Sequence, residues 1–199
     1  MDDIVTQALT KWPNVPHCYG WLALDARGNW RMRNEHAQTH KLPGDRITHP
    51  ALIGFINRNY THDAQDRWYF QNGPQRVYVE LEVTPYVVHT EPAAGFVLQT
   101  GEHMPNITAG WLSEQGRLFL QGDGKFALLD DRDMAQCLND LSLNEQPVTD
   151  EQLMLWLEQR GSSGELSLRS GSQRVVLDYI LEAAIDKQFN FTRTPQASI

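Results

Sequence analysis

One unit of this chain is written twice, and that limits what it can fold into more than any single motif does. Residues 48–56 read Thr-His-Pro-Ala-Leu-Ile-Gly-Phe-Ile, and residues 149–157 read Thr-Asp-Glu-Gln-Leu-Met-Leu-Trp-Leu. Aligned without a gap, Thr48, Leu52, Ile53, Phe55 and Ile56 fall on Thr149, Leu153, Met154, Trp156 and Leu157. A second landmark follows each copy: residues 70–77 read FQNGPQRV and residues 168–175 read LRSGSQRV. A third precedes each copy, Gly20-Trp21-Leu22 and Gly110-Trp111-Leu112. Three landmarks in one order point to an internal duplication. They constrain architecture and leave activity open.

A chain of 199 residues divides readily into two units. The expected boundaries are 1–95 and 96–199, with Glu91–Gly95 as linker. In the first unit, Ile4, Val5, Ala8, Leu9 and Trp12 share a helical face, and Pro13 stops that helix. Two strands flank the turn Ala26-Arg27-Gly28-Asn29, and residues 34–46 read as loop. Thr48 caps a helix that has Pro50 in its first turn, where a missing N–H costs nothing. Asn72-Gly73 then joins two strands as a hairpin. Along the second of these, Val77, Val79, Leu81 and Val83 alternate with Tyr78, Glu80 and Glu82, which predicts one buried and one wet face.

The second unit repeats the pattern. It adds a helix over residues 131–141 and a capping box from Thr149 to Gln152. Tyr179–Ile185 reads as a short helix and Phe189-Asn190-Phe191 as a last strand. The fold class is therefore α+β: two pseudo-repeated strand-strand-helix-strand-strand units packed together.

Net charge is −8, which disfavours non-specific binding to nucleic acid or to an anionic membrane. The halves differ. Residues 1–95 carry 9 Lys/Arg against 10 Asp/Glu, and residues 96–199 carry 8 against 15. Six of the seven histidines lie in the first half, which makes it the better host for an anion. No apolar run reaches the length of a membrane helix. The acidic Asp2-Asp3 start is unlike a signal peptide, and Cys18 and Cys137 form no framework, so a cytoplasmic setting is expected.

Several segments together carry a resemblance. They are Gly28-Asn29-Trp30, the apolar helix near 49–60, Asp66-Arg67-Trp68-Tyr69-Phe70, and Val77-Tyr78-Val79-Glu80-Leu81-Glu82 closed by Thr84-Pro85-Tyr86. This succession resembles the bacterial family known as domain of unknown function 1285. It spans residues 25–90 and, more thinly, 96–101. The chain departs from that family's pattern in its opening helix, in Pro16-His17-Cys18-Tyr19-Gly20 and in Gly73-Pro74-Gln75-Arg76, as a sister family would. The resemblance implies a duplicated α+β core, a role in signal transduction and a ligand site between the two units. It transfers no catalytic residue.

Candidate chemistry is sparse. His36 and His40 have the spacing of two metal ligands on a helix, but they stand in the expected loop with no third ligand nearby, and no metal is expected. Cys18 neighbours His17, whose side chain points the other way on a strand. Gly161-Ser162-Ser163-Gly164 reads as a connector, and Gly122-Asp123-Gly124-Lys125 as a hairpin turn rather than a phosphate loop. No cofactor motif stands out.

The richest segment is Arg67-Trp68-Tyr69-Phe70-Gln71-Asn72 with Arg76 and Tyr78. A guanidinium offers a fork to phosphate or carboxylate, and a ring offers a stacking face. Arg76 could instead pair with Glu80 or Glu82, and its recurrence as Arg174 fits a role in the fold. The expected ligand-binding set, Trp30, Tyr69, Gln71, Arg76 and Tyr86, is assigned to a groove between the two units, with Tyr69 and Gln71 facing the groove and Trp68 and Phe70 in the core. The function expected from these residues is a non-enzymatic sensing or regulatory module. It would hold a small anionic or nucleotide-like ligand, or a protein partner. An enzyme with scattered catalytic residues and a structural adaptor are the alternatives.

Overall fold

The computed structural model describes residues 1–92 and 95–197, and in it the chain forms two units. The first comprises Met1–Pro85 together with the chain from Asn190 onward, and the second is Tyr86–Phe189. The divide falls at Pro85 rather than after residue 95, because the strand beginning at Tyr86 pairs into the second sheet. Ala93 and Ala94, in the expected linker, lie outside the described residues; Glu91 and Gly95 on either side pair with each other across a hairpin.

The first unit runs α1 (Asp3–Lys11), β1 (Cys18–Leu24), β2 (Trp30–Met32), α2 (Glu35–Thr39), β3 (Asp45–Arg46), α3 (Pro50–Arg58), β4 (Tyr60–His62), β5 (Trp68–Asn72) and β6 (Gln75–Leu81). Its sheet has the order β3-β2-β1-β6-β5-β4. All neighbours are antiparallel except β1 and β6, which run parallel at its centre.

The second unit runs β7 (Tyr86–Glu91), β8 (Gly95–Leu98), β9 (Ile107–Ser113), β10 (Leu118–Gly122), β11 (Lys125–Leu129), α4 (Met134–Leu138), β12 (Leu141–Leu143), β13 (Gln146–Pro147), α5 (Asp150–Glu158), β14 (Leu166–Ser170), β15 (Gln173–Ile180) and α6 (Ile185–Gln188). Its nine strands have the order β13-β12-β14-β15-β9-β10-β11-β7-β8. Here too the first strand of one hairpin, β9, runs parallel to the last strand of another, β15. In each unit a helix, α3 or α5, stands between the two hairpins in sequence.

The three landmarks differ in how well they keep step. The hairpin landmark is in register: Asn72 faces Gln75 and Ser170 faces Gln173, with Gly73 and Gly171 at φ 56° and 59°. The two loop residues are thus Gly73-Pro74, one position later than expected. The helix landmark is one residue out. The caps are His49 and Thr149, and the fully buried residues are Ile56 and Trp156. His49, not Thr48, opens α3, and its side chain forms no cap hydrogen bond, whereas Thr149 and Gln152 form the expected capping box.

The Gly-Trp-Leu landmark is two residues out. Leu24 faces Leu81, whereas Leu112 faces Tyr179, the residue that the hairpin match aligns with Leu81. A register shift between Cys18 and Leu22, with Gly20 at φ 78°, absorbs the two extra residues in β1.

Burial corrects other expectations. On α3, Leu52 is exposed and Phe55 half-buried; on α5, Met154 is exposed and Leu153 and Leu157 are half-buried. On α1 only Val5 is buried, while Ile4 and Trp12 face solvent. Tyr78 is buried rather than wet, so the β6 alternation fails there. The expected loop 34–46 contains α2, capped by Asn34, whose side chain accepts from Ala37 N at 2.9 Å. The expected helix 131–141 is one 3-10 turn followed by α4, and Leu141 already belongs to β12. Tyr179 and Ile180 extend β15, and Phe189-Asn190-Phe191 is not a strand.

The second unit's core gathers Val88, Leu98, Leu112, Leu120, Leu166, Leu177 and Trp156. Among the described residues no helix is long and apolar enough to cross a membrane.

Candidate functional site

The β5–β6 register decides which side chains meet. Tyr69 faces Tyr78 and Gln71 faces Arg76. Strand alternation therefore places these four on one face of the sheet. Trp68 and Phe70 point to the other face, where Phe55 of α3 meets Phe70 edge-on at 5.3 Å between ring centroids. Trp30 belongs to that α3 side. It is buried, its Nε1 donates to Asn57 Oδ1 at 2.7 Å, and its ring meets Tyr60 at 5.0 Å. Trp30 is thus a core residue and leaves the expected ligand set, because its polar edge is already bonded and its ring packed. Tyr86 lies in the second unit, packed against that unit's core, and burial raises its pKa.

On the Tyr69 face a cluster forms around Tyr78. The Tyr19 ring stacks on it at 4.6 Å and 6°. Tyr69 meets it at 5.6 Å and His17 at 5.8 Å, both edge-on. The segment before β1 reaches this face because Gln75 Nε2 donates to Pro16 O at 2.9 Å and Cys18 pairs with Val77. The Arg67 guanidinium lies 4.9 Å over the Tyr78 ring, and that of Arg76 lies 4.7 Å over Tyr69.

Asp63 anchors the cluster. Its Oδ2 accepts from Tyr78 Oη at 2.8 Å and from Arg67 Nε at 2.9 Å, and its Oδ1 accepts from the backbone N–H groups of Gln65 and Arg67. Burial would raise the Asp63 pKa, but these hydrogen bonds win and hold it at about 2. The Tyr78 hydroxyl is pushed up by burial and by its bond to Asp63. His17 is pushed down, by desolvation first and then by the positive charges of Arg76 and Arg67. The Asp63 carboxylate is spent on Arg67 and Tyr78. Among the described residues Arg76 has no carboxylate at ion-pair distance.

The aligned hairpin of the second unit differs at this point. There Arg174 pairs with Glu165, where the first unit has Arg67, and Ser167 stands where the first unit has Tyr69. The repeated arginine therefore makes two different contacts, and neither is the expected pairing with Glu80 or Glu82. Glu80 pairs with the buried Arg33, and Glu82 accepts from Ala26 N at 2.9 Å.

The first unit also holds a cavity of about 260 Å³ lined by Asp25, Arg31, Arg33, Lys41, Glu80 and Glu82 among others. Its charges are mostly spent internally: Arg31 pairs with Asp25 at 2.7 Å, and Arg33 pairs with Glu80 and donates to Leu42 O.

Other sequence candidates resolve more simply. His36 and His40 do meet, at 4.2 Å between rings, because α2 is helical where a loop was expected. No group of three or more metal-ligating side chains forms among the described residues. Cys137 is buried, and burial raises its thiol to about 11. Gly122-Asp123-Gly124-Lys125 is the β10–β11 hairpin.

Sequence reasoning named Tyr69 and Arg76, which stand in this cluster, and passed over Tyr19 and Asp63; Gln71 is buried, its amide donates to Gly73 O at 2.9 Å, and it takes no part. The signal for Asp63 was its spacing to Arg67: an Asp whose carboxylate caps the backbone two and four residues on.

A family model described as Protein of unknown function (DUF2946) matches residues 1–196. Among solved structures, the chain is similar to a DUF1285 family protein from Silicibacter pomeroyi DSS-3, with 15% identity and a TM-score of 0.49, over 89% of this chain and 96% of that one. It is also similar to a DUF1285 family protein from Shewanella baltica OS155, with 16% identity and a TM-score of 0.40, over 60% and 91% respectively. Both are members of the family that the residues at 25–90 resemble. No curated protein matches the chain.

Proposed function

The chain belongs to the family described as Protein of unknown function (DUF2946), and on that premise we propose that its first unit is a binding module for a small anionic, nucleotide-like ligand. The ligand's anionic group is held by Arg76 with His17, beside the rings of Tyr19, Tyr69 and Tyr78. The observation that carries this reading is the contrast between Arg76 and Arg174. Two hairpins with the same register and the same turn carry the same arginine, yet only the second supplies it with a carboxylate. A guanidinium that served the fold alone would be expected to keep one partner in both.

Arg76 rests on the face of Tyr69 and also bonds the Tyr78 side chain, which together pre-order it, and it has no carboxylate partner among the described residues to compete with a phosphate or carboxylate. His17 adds a second donor that gains charge as an anion approaches. The half-buried Tyr19 ring, stacked on Tyr78, is the natural platform for a planar group. The two units are read as copies of one ancestral unit that differ at this site, the second carrying Glu165 and Ser167 where the first has Arg67 and Tyr69. A sensing role is what the family resemblance implies, and a cytoplasmic setting is the expectation from the acidic Asp2-Asp3 start and the two unpaired cysteines.

The test is a thermal-shift titration of the full chain with inorganic phosphate, AMP and citrate. A ligand that prefers the native state raises Tm by mass action. Arg76→Gln should remove the shift and Arg174→Gln should keep it. A shift that survives Arg76→Gln, or no shift with any of the three, overturns the reading.

A further inference from the structure

Ala23 of β1 faces Arg31 of β2 on one side and Glu80 of β6 on the other, so these three side chains share one face of the first sheet. The ion pairs Arg31–Asp25 and Arg33–Glu80 hold Asp25 and Arg33 on that face too. A methyl group between two long charged side chains leaves a trough, and the trough is the floor of the first unit's cavity of about 260 Å³. Lys41 and Glu82 complete the charged lining.

Two features set this lining apart from ordinary wetted surface. The first is burial. The side chains of Arg33 and Asp25 are only 8% and 9% exposed, and those of Arg31 and Glu80 only 26% and 29%. Charges held this far out of water carry a desolvation cost that apolar residues of the same volume would not. The second is that the signs are sorted by strand. The three cations stand on β2 or on the connection that follows it, and the three carboxylates stand at or just beyond the ends of β1 and β6. The lining is neutral in sum and dipolar in arrangement.

The lip on the cationic side is fixed. Arg31 Nη1 donates to Gly44 O and Arg33 Nε to Leu42 O, both at 3.1 Å, and Leu42 N donates to Ala37 O at 2.8 Å. Gly44 stands at φ 81°, and a Cβ there would lie 2.4 Å from Met32 O, so only glycine lets this loop press against β2. On the other side, Leu81 N donates to Arg193 O at 2.8 Å, which seats Thr194 at the cavity.

We infer that this cavity binds a small zwitterion, a free α-amino acid with a small side chain. A simple anion would meet three carboxylates, and a simple cation three positive groups. A zwitterion lies along the dipole, its carboxylate towards Lys41 and Arg31 and its ammonium towards Glu80 and Glu82. A carboxylate only accepts and an ammonium only donates, which matches the two walls in type. The volume falls below the roughly 300 Å³ at which drug-sized sites begin, and it suits glycine, alanine or serine. The site shares no residue with the anion site around Arg76 and does not rest on that reading.

The experiment follows the backbone amide signals of Ala23, Leu24, Leu42 and Gly44 in proton–nitrogen NMR spectra of the full chain. Glycine, L-alanine and L-serine are titrated into the millimolar range expected for a small polar ligand. Acetate and methylammonium, which carry the two charges of glycine singly, are titrated alongside. At least one amino acid should give a saturable shift of these signals, and neither single-charge compound should. Lys41→Gln with Glu82→Gln, both at exposed positions, should weaken the affinity about fivefold or more. Ala23→Ile, a residue suited to a strand, fills the trough and should abolish the response. Arg76→Gln should leave it intact. The inference falls if no amino acid gives a saturable shift, if acetate or methylammonium alone does as well, if the double variant or Ala23→Ile binds as before, or if Arg76→Gln removes the response.

Discussion

Asp25 and Ser113 close two turns in the same manner with different chemistry. Asp25 Oδ1 accepts from Arg27 N at 3.0 Å and Asn29 N at 2.8 Å; Ser113 Oγ accepts from Gln115 N at 3.3 Å and Arg117 N at 3.1 Å. In both turns the fourth residue is a glycine at φ 74°, whose N–H donates to the carbonyl of the first. Ser113→Ala should cost about 1–2 kcal/mol, because it strands two backbone donors and removes a bond to the buried Glu182. Ser113→Asp should be worse than Ser113→Ala, since it sets a second carboxylate beside Glu182. Urea denaturation read by fluorescence checks both; equal stability of Ser113→Ala and the parent chain would refute the role.

The Asp63 carboxylate gives a pH-dependent contribution with a definite sign. Its folded pKa of about 2 lies below the ordinary aspartate value of 3.8, so the stabilisation is present above about pH 4 and fades as pH falls towards 2. The side chain is only 5% exposed, and the shift corresponds to about 2 kcal/mol. Asp63→Asn should lose that amount at pH 6 and should show a flatter stability curve between pH 4 and 2. Parallel curves for the two proteins would contradict the assignment.

His17 makes the first-unit site sensitive to acid. With its pKa lowered it is neutral at pH 7, and it charges as pH falls. Sulfate, which does not titrate in this range, should therefore bind more tightly at pH 5.5 than at pH 7.5. His17→Gln should abolish the difference. Isothermal titration at the two pH values reads this directly, and an unchanged pH dependence in the variant removes His17 from the site.

The helices should respond unevenly to truncation. Ile56→Ala should cost about 2–5 kcal/mol and Trp156→Ala about 3–5 kcal/mol, because both are fully buried. Leu52→Ala should cost under about 1 kcal/mol, since that side chain is already 36% exposed. A Leu52 cost comparable to that of Ile56 would mean that the exposed face of α3 is covered in solution.

What the residues announced and what they hid follow physical lines. The hairpin at Gly73 was legible because a tight turn needs a residue that tolerates positive φ, and such needs are local. The capping box at Thr149 was legible for the same reason. The slip of the helix match was not: Thr48 and Thr149 look equivalent, but Pro50 fixes the first turn so that His49 takes the cap position. Tyr78 was misread as wet because alternation says which side a residue points to, not whether that side is covered. Its cover comes from Arg67, held by the local Asp63 turn, and from Tyr19, brought there by pairing between β1 and β6, strands far apart in sequence. Arg76 was legible as a candidate. That its counterpart already has a partner could be seen only once the two hairpins were compared in three dimensions.

The return of the chain to the first unit after Phe189 sets an order of events. Leu81 N donates to Arg193 O at 2.8 Å and Thr192 N donates to Asp66 O at 3.2 Å. Thr194 also lines the first unit's cavity. During synthesis β6 emerges long before these partners exist, and the whole second unit must be made in between. The first unit therefore waits, with Leu81 N–H and Asp66 C=O open to water, while the second can complete its own sheet from contiguous sequence. Its final hydrogen bonds are a closing step gated by translation of its neighbour.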